Sequence, residues 1–192
     1  GISHEQFEKI FIKGEIVKWK ELFKESEDKQ INVYTRSDAC GAAQMWGEYL
    51  GKDQESLIGV GVYGDPGIAD AVKNDIYGMG FNNVIYVYDL KTRKFYDKLA
   101  VIPIDLNSDG MISADEDFYS TIDDVTIATK SGKYPSPPAR DLYFVSKGKP
   151  VSAVVIEFLK WVLTDGQKFV EEAGYVNLSE EKINQELEKL AP

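Results

Sequence analysis

Two stretches of the sequence combine residue types and spacings suited to chemistry. The first is Arg36-Ser37-Asp38-Ala39-Cys40-Gly41-Ala42, set between a β-rich segment and an amphipathic one. A strand that turns into a helix leaves the first-turn amides unpaired, and the helix dipole adds roughly half a positive charge there. Such a turn suits an anion. Arg36 offers a planar fork to an oxyanion, Asp38 can hold that fork or cap the helix, and Gly41 lets a ligand approach the backbone. The same residues also fit an ordinary capped helix with an Arg–Asp surface pair, and spacing alone does not choose between them.

The second stretch, Asp105 to Glu116, follows the calcium-loop template position by position. Asp105, Asn107 and Asp109 stand at positions 1, 3 and 5, Gly110 at 6, Ile112 at 8 and Glu116 at 12. Met111 would give its carbonyl and Ser113 a side-chain or water-mediated contact. A solvated acidic turn is the competing reading. The preceding Ala100-Val101-Ile102-Pro103-Ile104 is strand-like and holds a proline, so no helix enters this loop. The expectation is a structural Ca²⁺ staple with ion-dependent stability, which millimolar extracellular calcium would fill.

Other chemistry is thinly provided. The single histidine, His4, and the single cysteine, Cys40, make a His-rich zinc site or a Ser–His–Asp triad improbable and exclude an internal disulfide framework. Cys40 beside Arg36 at a helix start has the setting of a reactive thiolate, yet no partner base accompanies it, so the chain reads as a non-enzyme. Gly61-Val62-Tyr63-Gly64-Asp65-Pro66-Gly67 lacks the Gly-Lys-Ser/Thr ending of a nucleotide loop and reads as a tight strand–helix turn. Trp19, Trp46 and Trp161 read as core and His4 as exposed.

The remaining sequence must position these groups. With 32 acidic against 22 basic residues the net charge is −10, which argues against nucleic acid as a partner. At 43 % hydrophobic and 192 residues the chain can bury a core, and no apolar run approaches the ~20 residues of a membrane span. No signal peptide is visible. Helical and strand patterns alternate, which gives an α/β class. Ser3 and Gln6 form a capping box, stapled by Ile2 and Phe7, before the helical face Phe7, Ile10, Phe11 and a stop at Gly14. A strand over 31–35 precedes the arginine loop, and Ala42, Met45, Trp46, Tyr49 and Leu50 mark the helix after it, ending at Gly51. Asp65-Pro66 reads as the cap of a helix through Ile68, Ala69 and Val72. Strands are expected at 84–88, across much of 95–104 and at 142–145. Tyr134–Pro138 reads as extended backbone. Further helices are expected near 116–130, from Val151 to Val162, over 165–174 and around Ile183, Leu187 and Leu190.

Four blocks carry a family resemblance across nearly all of the chain. They are residues 3–22, the loop 36–42, the run 134–150 with its Tyr-Pro, Leu-Tyr and Lys-Gly-Lys-Pro, and 158–176 with Gly166-Gln167 and Gly174-Tyr175-Val176. Together they resemble the second part of the PstS-like phosphate-binding proteins of ABC transporters, in the type II periplasmic-binding-protein superfamily. The resemblance implies a lobe with a mixed sheet flanked by helices, and a turn at Gly78-Met79-Gly80-Phe81 that approaches the cleft. It places a second-lobe domain at 1–140, with the calcium loop inserted near 105–116, and a return strand with C-terminal helices at 141–192. The first-lobe half of such proteins has no counterpart here.

The implied function is the solute-binding component of an ABC importer for an inorganic oxyanion, phosphate foremost, held by Arg36, Ser37, Asp38, Cys40, Gly41 and Ala42. In the family's R-S-D-x-S-G-T loop the fifth and seventh positions carry hydroxyls. Cys40 and Ala42 replace them here, which leaves the amides of Cys40, Gly41 and Ala42 as donors. Expected partners are the oxyanion, an ABC permease and the missing first lobe. The expected place is periplasmic or extracellular, anchored through a segment outside this chain. The alternative is a calcium-stabilised extracellular interaction or sensor domain that kept the fold and lost anion binding.

Overall fold

Ser3 and Gln6 satisfy each other's backbone amides in the computed structural model, which describes residues 1–191. This capping box links strand β1 (Ile2–Ser3) to helix α1 (His4–Glu8). A π-helical turn, Lys9–Lys13, prolongs α1 to Gly14, whose left-handed backbone (φ 65°) ends it. Phe7, Ile10 and Phe11 are buried on the expected face. A short helix α2 (Trp19–Leu22) follows.

Ile31 to Thr35 leads into strand β2 (Asn32–Arg36), and β2 feeds helix α3 (Gly41–Tyr49). Strand β3 (Val60–Val62), helix α4 (Gly64–Lys73) and strand β4 (Gly78–Gly80) come next. The sheet order is β3-β2-β4, all parallel, with Arg36 opposite Val62 and Val33 opposite Met79. The chain steps from β2 to β3 on one side, then crosses back to β4 on the other. The carboxyl ends of β2 and β3 therefore open side by side into helix N-termini, the end of an α/β sheet where ligands bind. A second parallel pair joins β1 to β5 (Ile104–Asp105), with Ser3 opposite Asp105.

Packing holds α3 in place from its far end. Trp46 meets Phe7, Phe11 and Phe81 at ring separations of 5.1, 5.4 and 5.9 Å, within the range of favourable aromatic pairs. A second core gathers Tyr88, Phe118 and Tyr119 around helix α5 (Ile122–Lys130). Residues 1–140 form one compact unit and residues 141 onward another. The latter holds α6 (Ala153–Leu163), a 3-10 turn (Asp165–Phe169) and α7 (Glu180–Lys189). Within it Gln167 accepts from the Leu178 amide at 3.0 Å and its carbonyl receives Asn177 Nδ2 at 2.7 Å.

The α/β class stands, while several local expectations are corrected. Val84–Tyr86 is a 3-10 turn, not a strand; its apolar run packs on the second core, and a fully apolar run carries no period to tell strand from helix. The strand on that side is Gly78–Gly80, where the resemblance implied a turn. The stretch 95–104 reduces to a single bridge, Tyr88 to Phe95, and the start of β5. Helix α5 begins at Ile122 because Thr121 Oγ1 accepts from the Asp124 amide. Residues 136–138 turn rather than extend, with Ser136–Pro137 and Pro137–Pro138 both cis. Asp165–Phe169 is 3-10, with only turns beyond it to Gly174.

Leu142–Val145 forms no strand among the described residues. These side chains, with Val151, Val154, Phe158 and Trp161, stand exposed within their unit, so Trp161 is not the core residue expected. No helix of the described residues is long and apolar enough to cross a membrane.

Candidate functional site

Arg36 ends β2 with its guanidinium almost fully covered, its side chain only 6 % exposed. Nε and one terminal nitrogen donate to the two oxygens of Asp38 at 2.9 and 2.6 Å, and the other donates to Asp65 at 2.6 Å. The fork offered by the sequence is thus shared between two carboxylates. Asp65 is not the helix cap; Tyr63 occupies that position, and Asp65 sits in the first turn of α4 facing Arg36. Asn83 Nδ2 supports Asp65 at 3.0 Å, and Asn82 Nδ2 donates to the Asp65 carbonyl at 2.8 Å. Asp38 also receives the Gly64 amide at 3.0 Å. The Arg36 fork and that amide hold the Asp38 carboxyl well below the usual carboxylate range. This bridge ties the loop after β2 to the loop after β3.

Gln54 clamps the other flank. Its Nε2 donates to the Asp38 carbonyl at 2.8 Å, and its Oε1 accepts from the Cys40 amide at 3.1 Å. Gly47 permits this, because a Cβ there would fall 2.7 Å from the Asp53 backbone that carries Gln54. One expectation is corrected here: the Cys40 amide is already spent. Cys40 Sγ caps α3 instead, accepting from the Ala43 amide at 3.4 Å. The amides of Gly41 and Ala42 have no acceptor within the chain among the described residues. Ser37 is exposed, and its amide donates to the Val62 carbonyl at 3.0 Å.

Sequence reading missed Arg140. Its guanidinium lies against the Cα of Gly41: an added Cβ would come within 2.4 Å of one terminal nitrogen and 2.5 Å of Cζ. Among the described residues it has no carboxylate partner. The charges of Arg36, Asp38 and Asp65 sum to −1, and Arg140 brings the set to neutrality. A 430 Å³ cavity between Ile10, Val17, Ile31, Val33 and Val60 is lined without any charged side chain and has none of these groups.

The acidic loop is built differently. Asp105 is 2 % exposed; its Oδ2 accepts from the Gly110 amide at 2.8 Å, while Oδ1 is buried without any hydrogen-bond partner among the described residues. Asn107 Oδ1 accepts from the Asp109 amide and Asp109 Oδ1 from the Met111 amide, at 2.9 and 2.8 Å. Glu116 is buried and takes the Leu106 and Asn107 amides on Oε1, and the Ser113 amide and hydroxyl on Oε2. The Ser113 and loop-entry donors lower its pKa. Among the described residues no three of His, Cys, Asp and Glu are grouped as a ready metal cluster. Of the expected ligand set Asp105, Asn107, Asp109, Met111, Ser113 and Glu116, Glu116 is engaged by backbone and Ser113 donors and Asp105 keeps one oxygen without a donor among the described residues.

Comparison with known proteins agrees with this architecture. The profile of a PBP superfamily domain matches residues 1–166. The phosphate-binding protein PstS of Staphylococcus haemolyticus is 27 % identical over 190 residues, covering 98 % of this chain and 54 % of that protein. The chain thus spans about half the length of the curated relative it matches. A Clostridium perfringens protein, solved with bound phosphate and assigned as a phosphate ABC transporter substrate-binding protein, superposes with a TM-score of 0.63 at 20 % identity. It covers 93 % of this chain and 63 % of its own. A protein of Planctomyces limnophilus assigned to phosphate binding gives a TM-score of 0.55 at 16 % identity over 98 % of this chain and 63 % of its own. At these identities the two structures bear on the fold.

Proposed function

The chain belongs to the PBP superfamily, and from that premise we propose that it is part of the solute-binding component of an ABC importer, taking an inorganic oxyanion, phosphate foremost. The observation that carries the reading is the Arg140 guanidinium laid on Gly41, unpartnered among the described residues, beside the amides of Gly41 and Ala42, which have no acceptor among those residues, at the start of a nine-residue helix. These donors meet an anion from two directions. Arg36 acts through position: bound on both sides by carboxylates, it locks the two loops together and keeps the amides pre-aimed. Asp38 and Asp65 also bear on selectivity. A carboxylate can accept the proton of hydrogen phosphate, whereas sulfate brings no proton to donate.

Binding of this kind needs no covalent chemistry. The anion is held by fixed dipoles and handed to a membrane permease, outside the cytoplasmic membrane. A first-lobe half would supply the opposing jaw and cover the bare apolar side chains of residues 142–161. The second reading, a domain that has lost anion binding, is favoured by the loss of both hydroxyls and by Gln54 occupying the Cys40 amide. Titration calorimetry of the full-length protein with phosphate, sulfate, molybdate and tungstate separates the two. Binding of at least one anion, weakened about 10- to 100-fold in Arg140→Ala, is expected for loss of a charge-assisted contact. Silence toward all four anions would establish the second reading.

A further inference from the structure

We propose that the loop from Asp105 to Glu116 is a divalent-cation site that prefers calcium to magnesium, with Asp105 as its buried anchor. The observation that points to a cation is the orphaned oxygen of Asp105. Its carboxylate is turned into the loop, because Oδ2 receives the Gly110 amide five residues on, yet Oδ1 is buried with no donor among the described residues. A buried carboxylate oxygen left without a donor is costly, and a cation removes that cost. The oxygens that could join it are those of Asn107, Asp109, Ser113 and Glu116, with the Met111 carbonyl, all from one short segment and all hard donors.

Without metal, Glu116 is held by donors from both ends of the loop. Its carboxylate already reaches back to the loop entry at Leu106 and Asn107, so it lies over the segment it would close. Cation binding exchanges its amide donors for the metal. Six or seven oxygen ligands from one short loop suit calcium, whereas magnesium demands a tighter octahedron and keeps its waters.

The loop also has a structural address. Asp105 ends β5 opposite Ser3 of β1, and Ile112 packs against Gly1, where an added Cβ would fall 2.2 Å from Ile112 Cδ1. A bound cation would therefore tighten the β1–β5 pair. This inference is independent of the anion reading, and its test contains no oxyanion.

Thermal melting and calorimetry of the full chain are run in a chloride buffer, with calcium alone, magnesium alone or chelator. About 1 mM free calcium is expected to raise Tm by about 5–10 °C over chelator, with one calcium bound and a clearly smaller response to magnesium. Asp105→Asn should abolish the rise. Asp109→Asn, at an exposed position where Asn keeps an oxygen for the Met111 amide, should weaken calcium at least tenfold while moving the chelator melt by no more than about 2 °C. The proposal is overturned by a wild-type protein with no calcium heat and no change in Tm. It is equally overturned if both variants respond as wild type does, or if magnesium is as effective as calcium.

Discussion

The arginine loop and the acidic loop hold buried charge in opposite ways. In the first, one guanidinium is enclosed between two carboxylates, and each carboxylate has further amide or side-chain donors. In the second, Asp105 is buried with one oxygen unpartnered, and no cationic side chain is among its contacts among the described residues. A closed charge network makes a rigid frame for a ligand held elsewhere. An open one makes the ligand part of the frame.

The largest expected effect tests the closed side. Arg36→Ala strands Asp38 and Asp65 beside one another with their shared cation removed. Breaking a buried ion pair from one side typically costs about 3–5 kcal/mol, so urea denaturation should show a loss of that size, and anion binding should vanish with it. The matched change on the open side should behave differently. Asp105→Asn removes a buried charge that has no counterpart, and Asn keeps an oxygen for the Gly110 amide. In chelator its stability should fall by less than about 1 kcal/mol, or rise. Equal losses in both variants would erase the contrast.

Acid should open the two loops in a fixed order. Folding lowers the pKa of both Asp38 and Glu116, Asp38 further because a guanidinium is added to its amide donors. For a lowered carboxylate, the stabilisation is complete above the ordinary value of about 4 and is lost as pH falls through the folded value. Backbone amide shifts of Ser113 and Leu106 should therefore move at a higher pH than that of Gly64, which reports on Asp38. Coincident midpoints would mean that Arg36 gives Asp38 no special protection.

The local halves of both loops were legible in the sequence, and the long-range halves were not. The β-rich run over 31–35 and the apolar spacing from Ala42 to Leu50 marked the strand and helix around Arg36. Its partners arrive from elsewhere. Asp65 lies 29 positions away and looked like a cap because a proline follows it. Gln54 and Asn83 carry no motif, and Arg140 sits after a proline turn that spacing cannot place against Gly41. The same limit misplaced Val84–Tyr88 and Leu142–Val145. Both are apolar enough for a strand, but a strand needs a neighbour, and only the first run finds burial within its unit.

The smallest expected effect is the most specific to Arg140. Gly41→Ala puts a methyl group where the Arg140 guanidinium lies, at 2.4–2.5 Å from its atoms. The clash is with the far end of a flexible side chain, and Gly41 begins α3 without a left-handed backbone, so the fold can absorb it. Stability should change by no more than about 0.5 kcal/mol. The guanidinium keeps its charge but loses its alignment with the Gly41 and Ala42 amides, so anion affinity should fall, though by less than in Arg140→Ala. The double variant should bind no more weakly than Arg140→Ala alone, because both changes act on one contact. If the two losses simply add, Arg140 and Gly41 serve the anion separately, and the guanidinium is a neighbour of the site without being its second wall.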